Sequence, residues 1–205
     1  MNHEKILEIL HFRHACKQFD PTKIIPKESM GTLLEVARLS PSSFGMEPWR
    51  FIVVTNPSYK NELQPLCWNQ PQITSCSHLV IFVAKHHSVQ DSSYYERLFA
   101  RRGLAKEALT QYLKRYKSYI SSLPSIQEWC EKQCYIAATN MMSFGAILKI
   151  DSCPIEGFQK EQLQEKLKLD TTKESVALVV AFGYKVQDPT QKHRLSREDI
   201  ITWID

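Results

Sequence analysis

The 205-residue sequence has no long uninterrupted apolar run. Its longest apolar-looking segment, Cys134 to Ile150, is broken by Thr139, Asn140, Ser143 and Lys149, so it reads as a buried helix and not as a membrane span. The opening Met1-Asn2-His3-Glu4-Lys5 leads straight into an amphipathic pattern, with no apolar stretch ending in small residues, so no signal peptide is expected. The six cysteines are scattered and form no C-x-x-C pair. Reduced thiols in a cytoplasmic protein are therefore expected. Cys130 with Cys134 and the adjacent His86-His87 lack the usual zinc spacings, and no metal is expected. There is no G-x-S-x-G nucleophile elbow and no G-x-G-x-x-G dinucleotide fingerprint. Neither charge sign dominates. Lys and Arg total 26 against 22 Asp and Glu, and a net charge of +4 is too mild for a chain that coats nucleic acid, though it favours phosphorylated ligands. Internal repeats and low-complexity linkers are also missing, which points to one domain over residues 1–205.

What is present is mostly helical periodicity. Ile6, Leu7, Ile9 and Leu10 mark a short helix, and Met30, Leu33, Leu34 and Ala37 mark a second that stops before Ser40-Pro41. Phe51–Val54 is a short strand ended by Asn56-Pro57, which also forms the cap and first residue of a helix. Leu79–Val83 is a strand too continuously apolar to be half exposed, and Ser175–Gly183 is a third. Asp91 to Ser121 reads as one long helix or two shorter ones. Beyond Pro124, Ser125 with Glu128 signals a capping box for a helix running to about Ile150. A short helix over Gln159–Leu169 follows. The tail is polar from Gln187 until Ile200, Ile201 and Trp203, a greasy tip that must dock on something, a partner subunit being one candidate. Few strands among many helices argue for an α+β fold.

Four stretches carry candidate chemistry. Arg13-His14-Ala15-Cys16-Lys17 brings a guanidinium fork and a movable ammonium together, either as a phosphate grip or as a solvated basic turn. The loop from Leu39 to Arg50, with Pro41, Ser42, Ser43, Phe44, Gly45 and Pro48, either lines a polar ligand or is a stiff connector with Trp49 as a core plug. In Asp151–Phe158, Gly157 permits close backbone approach to a flat ligand, while Glu156 reads either as an acid–base group or as a turn residue. Lys192-His193-Arg194 reads alone as a solvated charge run.

Taken in order, the four stretches resemble the FMN-dependent nitroreductases, in the branch of oxygen-insensitive NAD(P)H nitroreductases and dihydropteridine or flavin reductases. The matching residues are Arg13 to Asp20, Pro41 to Trp49, Lys132-Gln133-Cys134-Tyr135, Pro154 to Gly157, and Lys192 with Arg194. The resemblance implies a central, mostly antiparallel sheet flanked by helices, and an intertwined homodimer that exchanges C-terminal segments. It implies that Arg13, His14, Ala15, Lys17, Lys192 and Arg194 hold FMN, with Asn69 and Gln72 at the pyrimidine edge. Pro41, Ser42, Ser43 and Gln133 would serve the flavin across the subunit interface, and Pro154, Ile155, Glu156 and Gly157 would border its ring. Chemistry would reside on the cofactor, with no catalytic side chain. NADH or NADPH would react first, and a small flat acceptor (nitroaromatic, quinone or flavin-like) would react second in the same place. Other reactions on the same fold, such as dehalogenation, oxidation or flavin breakdown, are the alternative, and a non-enzymatic anion-binding module is a distant one.

Two departures stand out. Ala15 replaces a common serine, and Gln72 replaces a lysine, which removes a cation near the flavin's pyrimidine edge. Tyr112, Tyr116 and Tyr119 fall at helical spacing and form an aromatic stripe. Ordinary packing accounts for such a stripe, but the resemblance sets it near the cleft mouth, where Phe44 and one of Tyr112 or Tyr116 would border the substrate.

Overall fold

The computed structural model describes residues 2–204, so Met1 and Asp205 of the 1–205 span lie outside it. Along the chain run α1 (His3–Phe12), α2 (Lys27–Arg38), β1 (Trp49–Val54), α3 (Pro57–Leu63), α4 (Gln72–Ser75), β2 (His78–Ala84), α5 (Ser92–Ala100), α6 (Lys106–Ser122), α7 (Ile126–Ile147), β3 (Asp151–Ile155), α8 (Lys160–Lys166), β4 (Ser175–Gly183) and α9 (Arg197–Ile200). The strands form one antiparallel sheet in the order β1-β2-β4-β3. The fold class is α+β.

Most boundaries follow local chemistry. Asn56 caps α3 through Tyr59 N, with Pro57 at the first helical position. Ser125 caps α7 by accepting from Glu128 N. The Asp91–Ser121 region is two helices, α5 and α6, turning at Arg101-Arg102. β3 is an element that the periodicity of the sequence does not announce: it is short, opens on Asp151 and contains Pro154. It exists because β4 pairs with it from Asp151↔Gly183 to Ile155↔Val179, and its position at the sheet edge tolerates the proline.

The two central strands read as unbroken apolar runs because each of their faces is covered. Val80, Phe82 and Ala84 of β2 join Leu178, Val180 and Phe182 of β4 in a core with α2, α5, α6 and α7. Leu79, Ile81 and Val83 join Val179 and Ala181 in a second core on the opposite face, with Leu63, Ile73 and Leu163. Burying each such large side chain contributes about 1.5–3 kcal/mol. α7 is the principal scaffold, packing on α2 and on all four strands. Among the described residues no helix is long and apolar enough to cross a membrane. All six cysteines are free and buried.

Candidate active site

The two ends of the chain meet. Arg13 caps the C-terminus of α1, and Lys192 arrives from a point 179 residues later to donate through Nζ to Arg13 O at 2.6 Å and to Leu10 O. Carbonyls at a helix C-terminus have no intrahelical partners, so an ammonium is suited to them. Burial, together with the neighbouring Arg13 and Arg194 cations, holds Lys192 below its ordinary pKa. The segment 11–18 and the segment 187–194, with Pro71, enclose a cavity of about 950 Å³ that contains Arg13, His14, Ala15, Lys17, Lys192 and Arg194. Ala15 of its lining pairs with Ser152 of β3. The His14 ring bonds through Nδ1 to Phe12 O at 3.1 Å and stands 3.8 Å from buried Asp151. Asp151 Oδ1 and Ser152 Oγ have no hydrogen-bond partner there, a costly arrangement unless a further group completes it.

A second network ties Lys17 to the Pro154–Gly157 segment. Lys17 Nζ points to Cys153 Sγ at 3.7 Å. Gln72, fully buried, approaches the same sulfur at 3.8 Å and donates to Gln70 Oε1 at 2.8 Å. Gln70 in turn donates to Gly157 O at 2.9 Å. Burial pushes the Cys153 thiol pKa up, against the pull of Lys17. Gly157 lies under the Trp68 ring, where a Cβ would come within 2.5 Å of a ring carbon. Trp68 and Asn69 both adopt left-handed backbone conformations and are exposed. Glu156 Oε1 accepts from Tyr135 OH at 2.8 Å, so this carboxylate is engaged with α7.

The third group is the serine loop. Ser43 N–H donates to Gln133 Oε1 at 2.9 Å, and Glu47 N–H to Ser42 Oγ at 2.9 Å. The Phe44 ring meets Tyr112, Tyr116 and Tyr119 at centroid distances of 5.8, 5.4 and 5.2 Å. The aromatic stripe exists as its spacing suggests, and its members differ in exposure. Tyr116 is buried, with its hydroxyl donated to Val89 O at 2.6 Å, and belongs to the core. Tyr112 is half-buried and faces the loop.

The model of the nitroreductase family matches residues 10–184. This chain belongs to that family. The match takes in the Arg13, Ser42, Gln133 and Glu156 motifs and ends short of Lys192 and Arg194. A Haemophilus influenzae chain bearing the name "Putative NAD(P)H nitroreductase" is 35% identical over all of this chain and 98% of its own. Among solved structures, a nitroreductase-like protein from Streptococcus mutans superposes with a TM-score of 0.91, at 21% identity and full coverage of both chains. A "putative nitroreductase in complex with FMN" from Exiguobacterium sibiricum gives 0.83, at 23% identity over 97% of each chain. The sheet and its flanking helices are thus the nitroreductase fold, and the family and relatives support an oxidoreductase.

Within the chain, the cation cradle and the Pro154–Gly157 segment are joined through Lys17, Cys153, Gln72 and Gln70. In the serine loop Ser43 is tied to Gln133 and Phe44 packs on the tyrosine stripe, and none of Pro41, Ser42 and Ser43 lines the cradle. Three participants carry no sequence motif: Trp68 over Gly157, Gln70 beneath it, and Arg102, which donates to Phe44 O and Tyr112 OH.

Proposed function

We propose that this nitroreductase-family chain is an FMN-dependent NAD(P)H oxidoreductase, active as a homodimer, that reduces small flat acceptors such as nitroaromatics, quinones or flavins. The observation that carries this reading is the cradle itself. Four cations from opposite ends of the chain (Arg13, Lys17, Lys192 and Arg194) line one cavity. A dianionic phosphate matches the cations, while the flat group that lies against Gly157 in this chain is the Trp68 ring. Asp151 Oδ1 and Ser152 Oγ, buried and without a hydrogen-bond partner, lie on β3 where Ala15 of the cavity wall pairs with Ser152. The FMN complex described for the Exiguobacterium neighbour and the NAD(P)H in the Haemophilus relative's name support the same assignment.

A bound FMN would supply the redox chemistry between NADH or NADPH and the acceptor. The chain's residues bind and orient. Arg13, His14, Lys192 and Arg194 would hold the phosphate and ribityl end, and Lys17, with Asn69 and Gln72, would serve the pyrimidine edge. The Pro154–Gly157 backbone borders the ring. Glu156 is held by Tyr135 and needs to move no proton. Phe44 and Tyr112 border the acceptor. Pro41, Ser42, Ser43 and Gln133 serve the flavin of the partner chain, consistent with their separation from the cradle of their own chain.

The dimer reading rests on unpartnered apolar surface. Ile6, Leu7 and Leu10 of α1, Phe144, Ile147 and Leu148 at the end of α7, and Ile200, Ile201, Trp203 and Ile204 in the tail are all exposed in one chain. β1 is an edge strand, suited to receive the partner's tail. Purified protein should be yellow, bleach under anaerobic NADH or NADPH, and release FMN on denaturation. Colourless protein that stays colourless with excess FMN contradicts the proposal.

A further inference from the structure

Residues 44–47, like Trp68-Asn69, form a stretch of the site with left-handed backbone. Phe44, Gly45 and Glu47 all have positive φ, at 55°, 60° and 46°. Two of the three carry a Cβ, and such residues adopt this region only at a cost, so surrounding contacts must hold them there. Within the loop, Glu47 N–H donates to Ser42 Oγ at 2.9 Å. From α5, Tyr94 OH reaches Met46 O at 3.1 Å and Glu47 O at 3.0 Å, and is itself held by Lys85. At Phe44, whose ring packs on the tyrosine stripe, the backbone carbonyl is held by Arg102, in the turn between α5 and α6. Its Nη2 donates to Phe44 O at 2.6 Å and its Nη1 to Tyr112 OH at 2.9 Å. The guanidinium lies 4.8 Å from the Tyr112 ring centroid and 5.3 Å from that of Phe99. Gly45 completes the fit, because a Cβ there would stand 2.8 Å from Arg102 Nη2.

We propose that Arg102 is a positioning residue, a latch by which the α5–α6 turn sets the shape of the serine loop and, through it, flavin retention and acceptor affinity. A planar fork with two fixed donors can bridge a loop carbonyl and a helix hydroxyl at once, whereas an ammonium offers a point charge to one of them. Stacking on Tyr112 fixes the plane of that fork. The loop shape is thus set by a segment outside every motif that grips the cofactor, and changes in the α5–α6 turn alter loop geometry without touching the cradle. Arg102 lies beside Phe44 and Tyr112, so the same latch sets the spacing of the two rings at the cleft mouth. This inference rests on the proposal that the serine loop covers flavin, and the test separates the two.

Wild type, Arg102→Ala and Arg102→Lys are compared in two measurements. Amide hydrogen exchange of residues 43–47, on protein free of flavin, reads the latch alone. Arg102→Ala should exchange at least tenfold faster there while the sheet is unchanged, and Arg102→Lys should fall between. Exchange at the wild-type rate overturns the latch whether or not flavin binds. Fluorescence titration with FMN then reads the consequence. Arg102→Ala should bind FMN roughly tenfold more weakly, the scale of one lost charge-assisted hydrogen bond. KM for acceptors should rise while kcat at saturating FMN and acceptor is held. Faster loop exchange with wild-type FMN affinity and wild-type KM refutes the functional half of the inference. A wild type that binds no FMN refutes the cofactor assignment instead.

Discussion

Ser43 N–H donates to the side-chain oxygen of Gln133 at 2.9 Å, tying the serine loop to the middle of α7. Gln133 is nearly fully buried and spends its amide N–H on Trp129 O at 3.0 Å, so both ends of the side chain are committed. Gln133→Leu keeps the bulk and removes the acceptor, stranding a partly buried backbone donor. A loss of about 1–3 kcal/mol in unfolding free energy is expected from urea melts, accompanied by weaker FMN binding. Unchanged stability and unchanged affinity would mean that the contact positions nothing.

Tyr116 separates packing from substrate contact. Its buried hydroxyl donates to Val89 O, and Tyr116→Phe leaves that carbonyl without this donor. The expected cost is about 1–2 kcal/mol in stability, with acceptor KM unchanged. Tyr112→Ala should behave the other way, raising KM more than it destabilises. A KM change in Tyr116→Phe would return this residue to the cleft.

Gln72, where the resemblance to the family leads one to expect a lysine, approaches Cys153 Sγ at 3.8 Å as Lys17 does at 3.7 Å, and both are proposed to face the flavin's pyrimidine edge. A cation near that edge favours the anionic reduced flavin. Gln72→Lys should therefore shift the FMN reduction potential in the positive direction, measured by equilibrium dye titration. No positive shift would refute the assignment of this edge.

Acid stability should depend on Glu131. Burial raises its carboxyl pKa, but donation from Lys160 at 2.7 Å, Ser175 at 2.7 Å and Gln127 at 3.0 Å outweighs it and holds the group below the usual carboxylate range. A depressed folded pKa gives stability that is complete above the unfolded carboxylate value, near 4.3, and lost as pH falls through the lower folded value. Glu131→Gln should cost about 2 kcal/mol at neutral pH and flatten the fall in stability below about pH 4. Parallel pH–stability curves for the two proteins would contradict this.

Helices and central strands were legible because their signals are local. Asn56-Pro57 and Ser125 mark starts, and the unbroken runs in β2 and β4 mark burial on two faces. The cation cradle was legible because its residues lie in short clusters in a family order. β3 was not, because its strand character comes from pairing with β4 while Pro154 and Gly157 read locally as a turn. Arg102 was not, because in sequence it is one of two arginines at a turn, and its partner Phe44 lies 58 positions away. Trp68 shows the same limit: its contact with Gly157 depends on a left-handed turn that no residue pattern announces.

A mixed dimer tests the central claim, in which one chain grips FMN and its twin supplies the covering loop. One differently tagged chain carries Arg13→Ala with Lys192→Ala and an intact loop, and the other carries Ser42→Ala with Ser43→Ala and an intact cradle. Coverage across the interface leaves one complete site per mixed dimer, so tandem-purified protein should hold about half the FMN of wild type at the wild-type affinity. If each loop covered its own chain's flavin, no complete site would remain. Mixed dimers without tight FMN, or a monodisperse wild-type monomer that keeps its flavin, would contradict the account.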